Sequence, residues 1–226
     1  MTGALVLTMS PGIKTTIDWI YQIYNYAWAV PALFGLWKWR KSNVGFKALT
    51  VMVFVGFTAE TIMRIYKDTN VFSLLTPRVY TVIEFGLIVA FFVSITSRKN
   101  IRYVMYFLSV LLIPIAIYDY LAEGLKERDD LTVGVESLIL VGYSLTTLYN
   151  ILRDGEYQNI TSTPQFWAIS GVLIYFGANV FVFISSNYIR SISIEASLFL
   201  WAVHAVINSV FYFILAFALW KVKVSQ

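Results

Sequence analysis

Two long stretches of the sequence contain no charged residue, and they constrain the fold more than any other feature. No Asp, Glu, Lys or Arg lies between Glu156 and Arg190, or between Glu195 and Lys221. A helix that crosses a bilayer needs about 20 mostly apolar residues, because the hydrocarbon core is about 30 Å thick. Each of these stretches therefore predicts a transmembrane helix.

Seven stretches meet this requirement and use nearly all of the 226 residues. We predict an all-α membrane protein, a single seven-helix transmembrane bundle in which short connections leave no room for a soluble domain. Apolar residues make up 58% of the chain and charged residues 13%, whereas a soluble domain carries roughly 25% charge. The predicted spans, one to seven, cover about residues 16–37, 46–66, 79–97, 102–122, 132–152, 165–188 and 195–220.

Four prolines mark where these helices are expected to begin or bend. Pro31 and Pro114 lie inside spans one and four and predict kinks. Pro77 and Pro164 predict helix starts, because a first turn tolerates proline. The first 15 residues do not predict a signal peptide, since their apolar run is too short, and we expect a segment at the membrane surface.

The Lys and Arg residues predict the orientation of the bundle. If the N-terminus is outside, ten basic residues lie on the inner side and seven on the outer side. Cytoplasmic loops carry the excess of Lys and Arg, and Trp side chains favour the membrane interface. Trp37, Trp39, Trp167 and Trp220 would all lie at the inner interface. We therefore predict a multi-pass protein of the cell inner membrane with its N-terminus outside and its C-terminus cytoplasmic.

Composition excludes several kinds of chemistry. The chain has no Cys and one His, His204, so a thiolate nucleophile or a multi-histidine metal site cannot form. Residues 196–220 contain no Lys, which a covalent retinal would need in the last helix. We expect no metal, no cofactor, no catalytic residue and no nucleic-acid partner.

Carboxylates within the spans are the strongest functional signal, because charge inside a membrane is costly. Glu60 and Asp119 lie near the C-terminal ends of spans two and four. Glu84 and Glu136 lie near the N-terminal ends of spans three and five. Since consecutive spans alternate in direction, all four fall in the same third of the membrane. The orientation predicted above makes this the extracytoplasmic third, where we expect a water-accessible cavity.

Other polar residues of the spans fall at a similar depth and complete the predicted ligand- or proton-binding site. Its members are Asn25, Glu60, Glu84, Glu136, Tyr175, His204 and Asn208. We expect Glu84 and His204 to share one polar cavity as a pair sensitive to pH or ligand. The alternatives are structural: Asp119 and Glu136 as rim residues, Glu60 paired with Arg64 four residues on, and His204 in a plain helix–helix contact.

Residues spread over most of the chain resemble a known family. They are Tyr80, Glu84-Phe85, Ser144, Tyr149, Pro164, Phe166-Trp167, Gly171, Tyr175, Gly177, Ser186-Asn187-Tyr188, Trp201, His204, Asn208 and Leu219-Trp220. This pattern is similar to that of an uncharacterised family of small seven-helix integral membrane proteins common in Bacteroidetes. Its members resemble the membrane modules of sensory systems, so the resemblance implies a signalling role by analogy.

The leading interpretation is a seven-helix membrane sensor or receptor-like protein with a polar pocket for a small molecule, a lipid or protons. Its output would pass to a separate cytoplasmic or membrane signalling partner. A proton- or cation-coupled small-molecule transporter is the alternative, since carboxylates within spans suit cation binding. The polar residues concentrate in one half of the membrane, which favours the sensor. An intramembrane lipid-modifying enzyme is the third hypothesis, and no motif supports it.

Overall fold

The computed structural model of the protein describes residues 11–66, 71–123, 130–154 and 159–222. These residues form eight α-helices and two short 3₁₀ turns, and no β-strand occurs among them. The expected surface segment falls mostly on residues 1–10, outside the described residues. The helices are α1 (Pro11–Ala27), α2 (Ala29–Lys38), α3 (Val44–Tyr66), α4 (Val71–Ile95), α5 (Lys99–Glu123), α6 (Asp130–Asp154), α7 (Pro164–Ile192) and α8 (Ile194–Trp220).

Six of these helices, α3 to α8, are long and apolar enough to cross a membrane. This confirms an all-helical, multi-pass membrane protein. The predicted first span corresponds to α1 and α2 together, which have 17 and 10 residues. Neither has the length of about 20 residues that one continuous spanning helix needs.

The first span was predicted as one kinked helix over residues 16–37, and the structure divides it at Trp28. Pro31 has no backbone N–H, and a proline ring collides with the carbonyl four residues earlier. That residue is Ala27, where α1 ends. The Trp28 indole nitrogen donates to the Asn25 carbonyl at 3.0 Å. Trp28 keeps helical backbone angles, with φ −60° and ψ −27°, so the regular hydrogen bonding is interrupted there without a reversal of the chain.

The start of the third span was predicted wrongly. Helix α4 begins at Val71, so Pro77 lies inside the helix instead of at its first turn. A proline leaves the carbonyl four residues earlier, here that of Ser73, without its backbone donor, and transmembrane helices tolerate such an internal proline. Glu84 consequently lies near the middle of α4. Pro164 does begin α7, directly after the capping residue Thr163, as predicted.

The helices form a closed ring with one helix outside it. Going around the ring, α2 packs on α3, α3 on α4, α4 on α6, α6 on α7, α7 on α8, and α8 returns to α1 and α2. Helix α5 packs against the seam between α4 and α6. Only 17% of the α5 span is buried, against 39% or more of the other five. The ring thus has an interior to which six spans contribute.

The two ends of the bundle differ in their interior. We call the end near Glu60 and Glu136 the acidic end, and the opposite end, near Lys41 and Lys47, the basic end. The half toward the basic end is filled by large, fully buried apolar side chains. They include Phe46, Leu49, Ile88, Phe91, Phe92, Leu215 and Leu219. Because closely packed apolar side chains fill this half, we expect the polar groups that could bind a ligand in the other half.

Candidate functional site

Glu84 faces the interior of the bundle and is bonded to a tyrosine of its own helix. The carboxylate is 6% exposed, and the Tyr80 hydroxyl donates to its Oε1 atom at 2.7 Å. The spacing of four residues places the two side chains on the same face of α4. A buried carboxyl group needs such a partner, because an unpaired charge in a low-dielectric interior is strongly unfavourable.

Glu60 makes a second acid–tyrosine pair, nearer the acidic end. The Tyr24 hydroxyl of α1 donates to Glu60 Oε1, and the Arg64 guanidinium lies 3.1 Å from Glu60 Oε2. Arg64 also donates to the Asn25 side chain. The Arg64 side chain is 51% exposed and that of Glu60 17%, so this network begins at the surface and leads inward. The Glu60–Arg64 pairing considered from the sequence is present.

Tyr212 connects the two pairs. A side-chain Cβ at Gly56 would lie 3.3 Å from the Tyr212 hydroxyl and 3.3 Å from the Tyr80 hydroxyl. The missing side chain of Gly56 therefore leaves room for both hydroxyl groups beside α3. Tyr212 also interacts electrostatically with Glu60 and Glu84. We refer to the two acid–tyrosine pairs and Tyr212 together as the polar cluster.

Tyr175 of α7 lies where this cluster meets the remaining helices. The Asn208 amide of α8 donates to the Tyr175 hydroxyl at 3.5 Å, and the Asn179 side chain bonds to the same group. Tyr175 also interacts electrostatically with the carboxyl groups of Glu84 and Glu136. The Tyr175 hydroxyl thus bonds to α8 through Asn208 and interacts electrostatically with carboxyl groups of α4 and α6.

His204 lies beside this centre, in a cage of aromatic rings. The imidazole centroid is 6.1 Å from the Tyr175 ring, 5.9 Å from Phe183 and 5.5 Å from Trp201. The Tyr175 ring is one wall of this cage. That Glu84 and His204 share one cavity stays a prediction.

The sequence left open whether Asp119 and Glu136 have a functional role or lie at the rim of the bundle. Both are buried. Asp119 Oδ2 accepts bonds from the Thr132 backbone nitrogen at 3.1 Å and the Thr132 hydroxyl at 2.6 Å. A carboxylate at the first turn of a helix satisfies backbone donors that have no partner within the helix. Asp119 therefore holds the start of α6 from α5, which is a structural role. Glu136, in contrast, lies close to Tyr175.

The seven predicted site residues fall into two connected groups. Asn25 and Glu60 form the network at the acidic end, and the others gather around Tyr175. The predicted site did not include three tyrosines that lie beside its acidic residues. They are Tyr24, Tyr80 and Tyr212. The i, i+4 spacing of Tyr80 and Glu84 is the one signal in the sequence that would have indicated a pair.

The cluster is rich in groups that hold and share protons. Carboxylates accept hydrogen bonds, and tyrosine hydroxyls both donate and accept them. Among the described residues, no group of three His, Asp or Glu side chains is arranged to hold a metal ion. The arrangement suits the binding of protons or of a small polar molecule.

Comparison with known protein families, with curated proteins and with solved structures gives no match to this chain. The resemblance to the seven-helix family of Bacteroidetes stays a prediction. The functional argument therefore rests on the chain's own residues.

Proposed function

We propose that the chain is a seven-span, receptor-like sensor of the inner membrane that detects protons or a small polar ligand at the Glu84–Tyr175 cluster. The observation that carries this proposal is that the polar cluster ends inside the bundle. It begins at the exposed Arg64 and reaches Glu84 and Tyr175 in the interior. Below them, the half toward the basic end is filled by apolar side chains.

Two buried hydroxyl groups of that apolar half support a closed interior. Thr50 donates to the Phe46 carbonyl of its own helix at 2.9 Å, and Ser144 donates to the Leu140 carbonyl at 2.8 Å. Their hydroxyls are thus engaged with the backbone. A carrier needs a second gate on this side, whereas a sensor does not, and the packing therefore favours the sensor over the transporter.

The proposed mechanism is a shift between two packings of the bundle. A proton on Glu84, or a ligand that bonds to it, competes with the hydrogen bond from Tyr80. Because the Tyr175 hydroxyl of α7 bonds to Asn208 of α8 and interacts electrostatically with Glu84 of α4, the change is shared among these helices. A ligand shifts such an equilibrium only by binding one packing more tightly than the other. With the N-terminus outside, the response reaches the cytoplasmic partner through the basic loop that contains Lys41.

Infrared difference spectroscopy tests whether Glu84 is the group that titrates. The full chain in lipid nanodiscs is compared between about pH 4 and pH 9, the range in which carboxyl and imidazole groups exchange protons. We expect a buried carboxyl C=O band that disappears in Glu84→Gln and persists in Glu195→Gln, a matched change at an exposed position of α8. A Glu84→Gln spectrum identical to that of the natural chain would refute the proposal.

Proteoliposomes distinguish the sensor from the transporter. A pH-sensitive dye inside the vesicles reports proton entry after an external pH jump. We expect the same rate with protein as in protein-free vesicles of equal lipid composition. Faster entry that Glu84→Gln abolishes would establish the transporter instead.

A further inference from the structure

A long apolar groove lies on the outer surface of the bundle between α3 and α4. Its volume is about 590 Å³, and it extends from Phe72 near the acidic end to Trp39 at the basic end. Of its fourteen lining residues, three carry a hydroxyl: Thr58, Thr76 and Tyr80. The volume lies in the range of about 300–1,000 Å³ that is typical of ligand sites.

The polar groups of the groove are engaged elsewhere. Thr58 donates to the Phe54 carbonyl at 2.8 Å, Thr76 donates to the Phe72 carbonyl at 2.5 Å, and the Tyr80 hydroxyl donates to Glu84. Apart from the Trp39 indole at the mouth, the surface left to an occupant is therefore hydrocarbon. Because the groove runs between the ends of two spanning helices, its direction is that of a lipid acyl chain in the bilayer.

The mouth of the groove at the basic end is positively charged. The Lys47 ammonium lies 5.8 Å from the centre of the Trp39 ring, which lines the groove. Arg40 and Lys41, the next residues after Trp39, are exposed. Basic pockets beside transmembrane helices bind anionic lipid headgroups, and an indole suits the headgroup layer.

We propose that this groove is a binding site for one anionic phospholipid, with an acyl chain along α3 and α4 and its phosphate beside Lys47 and Trp39. The charge at the mouth selects the anionic headgroup, and the apolar wall requires the attached chain. The site is separate from the carboxyl cluster and does not depend on the function proposed for that cluster. The Tyr80 ring is the wall that the two sites share.

Native mass spectrometry of the purified full chain tests the proposal. The protein is titrated with phosphatidylglycerol and with phosphatidylcholine of identical chains. We expect one tightly retained phosphatidylglycerol per chain, and weaker retention of phosphatidylcholine. Lys47→Gln should lower the affinity for phosphatidylglycerol about fivefold, the effect of one basic residue near an anionic headgroup. Val51→Trp and Ile83→Trp, which fill the groove from its two walls, should each abolish tight retention.

Two control variants make the result specific. Lys221 lies 5.0 Å from the Phe217 ring, so Lys221→Gln removes a comparable lysine–aromatic contact away from the groove. Val110→Trp enlarges a lipid-facing residue of α5. Both should retain the lipid. The proposal is overturned if Lys221→Gln loses as much affinity as Lys47→Gln, or if both groove-filling variants retain the lipid tightly. It is also overturned if an equal concentration of water-soluble glycerol phosphate displaces the lipid.

Discussion

The Asp119 carboxylate of α5 accepts two hydrogen bonds from Thr132, one from its backbone nitrogen and one from its hydroxyl. Asp119 is 1% exposed, so its loss would leave the start of α6 without a buried acceptor. We expect Asp119→Ala to lower the free energy of unfolding by about 1.5–3 kcal/mol, the range for hydrogen bonds to charged groups. Unfolding in mixed micelles measures the change. Asp18→Ala, at an exposed position of α1, is the control, and equal stability of both variants would contradict the assignment.

Tyr80 and Glu84 should be coupled in a double-mutant cycle. Tyr80→Phe removes the hydroxyl that donates to Glu84, and Glu84→Gln keeps the shape of the acceptor but removes its charge. Residues that share a buried hydrogen bond typically couple by about 0.5–3 kcal/mol. We therefore expect the double variant to lose less stability than the two single variants added together. Additive losses would mean that the bond contributes nothing.

The amides of α5 should exchange faster when one of the hydrogen bonds between α5 and α6 is removed. The Tyr143 hydroxyl donates to the Met105 carbonyl at 2.7 Å, and it lies 3.3 Å from the Ser109 hydroxyl. Tyr143→Phe should weaken this contact by about 1 kcal/mol, so that amide exchange in α5 speeds up roughly fivefold. Hydrogen exchange with mass spectrometry measures it. Tyr149→Phe removes a hydroxyl from an exposed position of α6, the helix that also contains Tyr143, and should leave amide exchange in α5 unchanged.

Gly35 is the contact point between α2 and α3. A Cβ there would collide with the Thr50 side chain, which is fully buried. Enlarging a residue in a closely packed site costs about 1–3 kcal/mol, and we expect this loss of stability in Gly35→Leu. Gly86→Leu should be neutral, because a Cβ at Gly86 meets no atom within 4 Å. Gly35→Ala should regain stability when Thr50→Ala is added, and failure of that rescue would refute the proposed collision.

The proposed orientation can be tested by cysteine labelling without background, because the natural chain has no Cys. Ser191→Cys lies near the acidic end and Lys41→Cys at the basic end, both at exposed positions. A membrane-impermeant maleimide should label Ser191→Cys on intact spheroplasts and Lys41→Cys only after the membrane is opened. The reverse pattern would invert the orientation but leave the internal geometry unchanged.

Hydrophobicity alone was sufficient to predict the helices, since six of the seven predicted spans correspond to continuous helices. It was insufficient at Pro31 and Pro77, because the regular helix is interrupted at Trp28, before the first proline, and continues through the second. The effect of a proline depends on how the surrounding helices pack against it, and its position in the sequence does not show that packing.

The acidic residues of the site could be predicted from the sequence, but the contacts between them and the tyrosines could not. Charge within a span identified Glu60 and Glu84, because the cost of burying a carboxylate depends little on its neighbours. The role of Tyr212 depends on the rotation of α8 and on the absence of a side chain at Gly56, which lies far away in the sequence. Proximity of this kind between hydroxyl groups of different helices leaves no periodic pattern in the sequence.

The closure of the ring by α8 against α1 and α2 sets the order in which the protein can mature. Helices emerge into the membrane in sequence, so α1 and α2 must wait for the last span before they gain their main neighbour. Until then Tyr175 lacks the Asn208 amide, and Tyr24 lies beside an incomplete wall. An unfinished chain therefore differs from the complete protein in a defined way: the amide partner of Tyr175 and the main neighbour of α1 are present only once the final helix is in place.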